Sequence, residues 1–172
     1  MTAFRSLVFL VFVSLVSSAA AAPQSRPLLL EEFFQGRTVG KGVFESRIAG
    51  VYRPFTVYLR GHWDPRRFTL RLREDFVYDD GERDSKTWFF QKVAADRYIG
   101  QRADVIAPAN VRTDADGSLR FSYIAQLETE SGPLLLRFDD TLTRVDAKTV
   151  RNTAKVMKAG IVIGTVDLTF RK

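Results

Sequence analysis

The stretch LRLREDFVYDDGERD, Leu70 to Asp84, decides how this chain folds. Leu70, Leu72, Phe76 and Tyr78 alternate with Arg71, Arg73, Asp75 and Val77, the period-two pattern of a half-buried strand. The run ends in Asp80-Gly81, which predicts a two-residue type I′ hairpin turn because both central positions of that turn need positive φ. One residue breaks the alternation: Glu74 falls on the oily side of the ribbon.

The same pattern recurs on both sides of this stretch. Runs of apolar, β-branched and aromatic residues predict nine strands, at 38–48, 52–63, 66–78, 84–93, 97–107, 118–129, 133–145, 148–158 and 161–171. Short turns at Gly117, Gly132 and Gly160 make neighbouring strands antiparallel. So many strands in one domain must deal with two exposed edges, and closing the sheet removes both. The expected fold is therefore all-β, an up-and-down antiparallel barrel of about 8–10 strands, with a curved sandwich as the alternative. Pro27 to Phe34, PLLLEEFF, predicts one short helix, with Pro in its first turn, two glutamates near its positive end and Gly36 as its stop.

The first 22 residues have a short basic start at Arg5, an apolar run from Leu7 to Val16 and a string of alanines, which predicts a cleaved secretory signal. The apolar run is shorter than the ~20 residues of a membrane-spanning helix, so no transmembrane segment is expected after cleavage. The layout is then residues 1–22 as signal peptide and 23–172 as a single β-barrel domain in the periplasm or outside the cell. Losing Arg5 with the leader lowers the net charge from +6 to +5. Export and the scatter of basic residues argue against a nucleic-acid partner and leave open peripheral contact with envelope lipids or attraction to anionic polysaccharide surfaces. The chain has no cysteine, which excludes disulfides, thiolate metal sites, cysteine nucleophiles and a lipid anchor on an N-terminal cysteine.

Strand alternation sorts the side chains into a wet and a dry face. Phe55, Val57, Leu59, Phe121, Leu136, Phe138, Leu142, Val150 and Val156 share the dry face, and Arg60, His62, Arg71, Arg73, Arg120, Arg137 and Arg151 the wet one. Glu74, Asp140 and Asn152 violate the division. A buried charge must find partners or become neutral, and the Tyr78 and Tyr123 hydroxyls, Arg102 and Asp104 are the available groups. The expected ligand-binding interior is Glu74, Tyr78, Asp104, Tyr123, Asp140 and Asn152, with Trp63 and Trp88 as aromatic walls. The competing reading is a satisfied internal network bridged by water.

No catalytic residue, cofactor or metal site is expected. The acidic run Asp75, Asp79, Asp80, Glu82 and Asp84 lacks the alternate spacing and terminal Glu of a calcium loop. His62, the single histidine, points to the wet face. Glu74 and Asp140 are the residue types a carboxylate-based hydrolase or isomerase would use, and that chemistry needs them about 5 to 9.5 Å apart.

EEFFQG at Glu31–Gly36, EDFVYDDGE at Glu74–Glu82, ADVIAPA at Ala103–Ala109, FDD at Phe138–Asp140 and KAGIVIGTVDLTFRK at the C-terminus together resemble the bacterial domain-of-unknown-function family DUF3833. The resemblance implies a calycin-type, lipocalin-like barrel, and family motifs fall on Glu74, Tyr78, Asp104, Asp140 and Asn152. Many members resemble envelope lipoproteins, whereas this chain lacks their lipid-bearing cysteine and has Lys41 and Thr141 where relatives tend to carry tryptophan. The expected function is binding or carriage of a lipid or other largely apolar small molecule. The alternatives are a non-catalytic module of the cell envelope and the carboxylate-based enzyme.

Overall fold

The computed structural model describes residues 26–129 and 132–172, and the predicted signal segment lies outside them. A five-residue helix, α1 (Leu30–Phe34), precedes ten strands: β1 (Gly36–Ser46), β2 (Val51–Asp64), β3 (Thr69–Tyr78), β4 (Arg83–Ala94), β5 (Arg97–Gln101), β6 (Ala109–Thr113), β7 (Leu119–Thr129), β8 (Gly132–Arg144), β9 (Thr149–Lys158) and β10 (Ile161–Arg171). Each pairs antiparallel with its sequence neighbours, and β10 returns to β1, closing the barrel. The fold is an up-and-down barrel, not a sandwich.

The dry face read from alternation is the interior. Phe55, Val57, Leu59, Leu70, Leu72, Leu119, Leu142, Val150 and Val156 are buried there, while His62 and most of the arginines predicted for the other face are exposed. Each large apolar side chain taken out of water contributes about 1.5–3 kcal/mol, so this ring of strands holds without covalent staples.

Three local expectations change. The predicted fifth strand, 97–107, ends at Gln101, and a further strand, β6, follows Pro108. Between them the chain leaves the β4–β5 ladder and docks on β7, where the amides of Ile106 and Gln126 donate to the carbonyls of Ile124 and Asp104 at 3.0 and 2.8 Å. The predicted third strand starts at Thr69 rather than at residue 66, because Phe68 takes a left-handed φ of 50° that ends the turn from β2. The Asp80-Gly81 hairpin is a three-residue loop, Asp79 to Gly81. Tyr78 pairs with Glu82, and Gly81 takes the positive φ, 87°, alone. A two-residue turn with positive φ at both positions does form at Ala159-Gly160, with φ of 48° and 81°.

The helix is shorter than the predicted 27–34 and serves as the floor of the barrel. Leu30, Phe33 and Phe34 are buried, and the Phe34 ring meets Phe170 edge-on at 5.2 Å. Ahead of the helix, the Leu28 amide donates to the Gly117 carbonyl at 3.0 Å. Glu31 accepts from Lys92 and from the Tyr98 hydroxyl, each at 2.5 Å, and the Tyr98 oxygen accepts from the Leu30 amide at 3.3 Å. Burial works against the Glu31 charge, but these two donors outweigh it and hold the carboxyl below its ordinary range. The helix sits hard against β2 at Gly61, where a β-carbon would lie 1.8 Å from the Phe34 carbonyl oxygen.

Candidate functional site

Beyond the helix floor the barrel encloses a cavity of about 370 Å³, room for roughly a dozen water-sized groups. Its wall is mostly apolar, with Leu59, Leu72, Phe76, Phe90, Phe138 and Leu168 among the lining residues. The aromatic part is ordered as a band. Tyr123 stacks on Phe138 at 5.1 Å, Phe121 on Tyr123 at 5.8 Å, and Trp88 meets Tyr123 edge-on at 5.1 Å.

Five strands and one connection bring these polar groups into the wall. Glu74 on β3 lies across from Lys86 on β4, and Asp140 on β8 lies across from Ala154 on β9, two residues from Asn152. Tyr123 enters from β7, and the β5–β6 connection contributes Arg102 and Asp104. That connection lies beside the upper part of β7, where β5 and β6 are too short to reach, so a gap in the sheet is filled by a loop bearing charge.

Besides Arg53 at the rim, two cations line the chamber, and both are already engaged. Arg102 grips Asp104 with both ends of its guanidinium, at 2.5 and 3.2 Å, and lies over the Trp88 and Tyr123 rings at 4.7 and 5.2 Å. Lys86 sits 3.2 Å from Asp84 and 3.4 Å from Asp104. Burial penalises the Arg102 charge, but Tyr123, Asp104 and Glu74 outweigh it and hold the guanidinium above its ordinary value. Burial likewise disfavours the Asp104 carboxylate, and Arg102 and Lys86 reverse the balance, keeping it below the usual range.

Glu74 and Asp140 behave in the opposite way. Burial pushes the Glu74 carboxyl up to about 7; Arg102 pulls it back, and the nearby Asp140 and Asp104 charges add to the rise. Asp140, 6% exposed, is raised to about 7 by burial against the hydrogen bond from Asn152 Nδ2 at 2.8 Å and the attraction of Arg102. The Tyr123 hydroxyl is also raised, by burial first and then by Asp140. Two acceptors at this spot, Asp140 Oδ2 and Asn152 Oδ1, are buried without a hydrogen-bond partner among the described residues. Buried polar atoms are nearly always paired, so these two mark a place where a donor is expected.

The structure brings together Glu74, Tyr78, Asp104, Tyr123, Asp140, Asn152 and Trp88 around one cavity. Trp63 is not in its wall. It shares the inward face of β2, but α1 crosses that strand at Gly61, so a residue two positions further on lies beyond the floor. There its amide donates to Gln35 Oε1 at 2.7 Å and its ring packs on Phe68 at 6.4 Å. Lys41 and Thr141 do not border the cavity either. Sequence reasoning passed over Lys86, although in KTWFF it shares the parity of Trp88 and Phe90, which was the available signal. At the rim, Arg53 stacks 3.8 Å over Tyr78 and pairs with Asp80 and Glu82 of the β3–β4 loop.

The family described as "Protein of unknown function (DUF3833)" matches residues 7–172. The chain belongs to this family. No curated protein matches it. Among solved structures, this DUF3833 member is similar to the S-type phycobiliprotein lyase CPES from Guillardia theta, at 11% identity and a TM-score of 0.57, over 84% of this chain and 93% of that one. It is also similar to a protein of unknown function of the DUF3598 family from Nostoc punctiforme PCC 73102, at 15% identity and a TM-score of 0.58, over 90% of this chain and 53% of that one. At such identities the likeness establishes the calycin-like barrel and nothing about what the barrel holds. Among the described residues, no helix is long and apolar enough to cross a membrane.

Proposed function

We propose that this DUF3833 member is an exported, periplasmic barrel that binds or carries a small, largely apolar molecule, whose polar end is held by the interior cluster around Glu74, Asp140 and Asn152. The observation that carries this reading is the cavity itself. At about 370 Å³ it exceeds the roughly 300 Å³ that marks the lower end of small-molecule pockets. Its composition also matches that class, an apolar and aromatic wall with a few convergent polar groups whose pKa values are displaced. A barrel serving only as an interaction module would gain stability by filling this space with side chains. The leader-like first 22 residues support export, and contact with envelope lipids follows from the basic charge.

Native mass spectrometry of protein purified from the periplasm without detergent tests the reading. The expected result is an adduct of small mass that Leu72→Trp, which fills the chamber, abolishes. A bare protein mass, with no uptake of apolar small molecules on challenge, rejects it.

A further inference from the structure

We infer that the chamber selects ligands whose polar end is a cationic amine, which Asp140, Asn152 and Glu74 receive, and not the carboxylate or phosphate that its arginine and lysine suggest at first sight. The inference rests on the ligand-binding reading above and deepens it.

Hydrogen-bonding capacity in the chamber is unevenly filled. Arg102 is clasped by Asp104 through two nitrogens, and Lys86 is shared between Asp84 and Asp104. An anionic headgroup would have to share the guanidinium with a charge-assisted bidentate partner. Its negative charge would also oppose the ionisation of Glu74 and Asp140, in a lining where Arg53 is engaged by Asp80 and Glu82, and Lys86 and Arg102 by Asp84 and Asp104. In the chamber, the buried atoms that lack partners are both oxygens, and each accepts once Asp140 is ionised. Asp140 Oδ2 and Asn152 Oδ1 are buried and unpaired among the described residues, and Glu74 meets its neighbours through space. An ammonium group offers three donors and one positive charge, which suits two unpaired oxygens and two carboxyls that ionise near neutral pH.

The charged and titratable groups facing the site are Arg53 on β2, Glu74 and Tyr78 on β3, Asp84 and Lys86 on β4, Arg102 and Asp104 on the β5–β6 connection, Tyr123 on β7 and Asp140 on β8. Because Asp104 is held in its charged form by Arg102 and Lys86, the groups that titrate on cation entry are Glu74 and Asp140. With values raised to about 7, each exchanges its proton around neutral pH, and a bound cation favours the charged form. Binding of the amine therefore releases protons, and affinity rises between pH 6 and pH 8.

Three probes with one apolar body separate the possibilities: phenylbutylamine, phenylbutanol and phenylpentanoate, titrated by calorimetry at pH 8 into protein purified from the periplasm. The amine is expected to bind at least about tenfold more tightly than the other two, the effect of one charge-assisted hydrogen bond. Asp140→Asn is expected to remove most of that preference while binding of the alcohol persists. Glu74→Gln, at a position with residual accessibility, gives the same readout where Asp140→Asn does not fold. Tighter or equal binding of the carboxylate overturns the inference and leaves the ligand-binding reading standing. Failure of all three probes to bind overturns both.

Discussion

The barrel buries carboxyl groups in two regions, and it treats them in opposite ways. At the floor, Glu31 is clasped by Lys92 and Tyr98, and its affinity for a proton falls. In the chamber, Glu74 and Asp140 lie within the field of Arg102, yet their affinity for a proton rises, because burial is stronger than the attraction that remains after Asp104 has taken the guanidinium. The floor acid is a fastener that joins the helix to β4 and β5. The chamber acids are held in an environment that does not satisfy them, and a fold does not need such groups to stand.

The sharpest way to break the comparison is to detach the floor. Gly61→Ala places a methyl group 1.8 Å from the Phe34 carbonyl oxygen as the backbone stands, and both atoms belong to main chain or its immediate neighbour, so α1 must move. A loss of about 3 kcal/mol or more is expected, the upper end of overpacking effects, read as a lower midpoint in urea. Glu31→Ala is expected to cost about 2 to 3 kcal/mol. Removing one partner of a fully buried pair costs about 3–5, and Lys92 here retains some solvent to receive it. An unchanged midpoint in either variant means that the helix is not part of the cooperative unit.

The chamber should answer with the opposite sign. Asp140→Asn keeps the shape and removes a charge that burial opposes, so at pH 8 and without ligand it is expected to stabilise the protein by about 1 to 2 kcal/mol. The pH profile separates the regions in the unmodified protein. A carboxyl whose pKa is raised to about 7 holds its proton more tightly folded than unfolded, so it lowers stability progressively as pH climbs from about 4 to 7 and no further above that. Glu31 and Asp104, with lowered pKa values, contribute stability above their unfolded values, about 4 to 4.5, and lose it as pH falls below them. The melting temperature is therefore expected to peak near pH 5 and decline toward pH 7.5, with the decline flattened in Asp140→Asn. A melting temperature that rises steadily from pH 5 to 7.5 contradicts the chamber description.

Alternation alone placed Glu74, Asp140 and Asn152 inside, because in a closed sheet the pleat leaves each residue one of two faces and the apolar neighbours name the inner one. The same rule misplaced Trp63. Parity gives the face but not the height along the barrel axis, and the helix that divides floor from chamber crosses at Gly61 through a close approach that no pattern announces. The strand at Ala109–Thr113 was missed for a related reason. Five residues carry too little periodicity, and the ladder before it is broken by a connection whose backbone bonds run to β7. That connection is also why the ion pair of Arg102 with Asp104 was legible as residue types but not as a pair already closed.

The smallest expected effect tests the boundary that parity could not see. The chain has two tryptophans, one on each side of the helix: Trp63 beyond the floor, and Trp88 in the chamber wall beside Arg102 and Tyr123. Trp63→Phe keeps an aromatic ring at a half-buried position and should cost less than about 1.5 kcal/mol, the range for substitutions that nearly conserve volume. In that variant all tryptophan emission comes from Trp88, so a ligand entering the chamber should change the fluorescence by a larger fraction than in the unmodified protein, with an unchanged Kd. Trp88→Phe should leave an emission that the same ligand does not alter. If the ligand response follows Trp63 instead, the binding space lies on the other side of α1, and the acids of the chamber have no part in it.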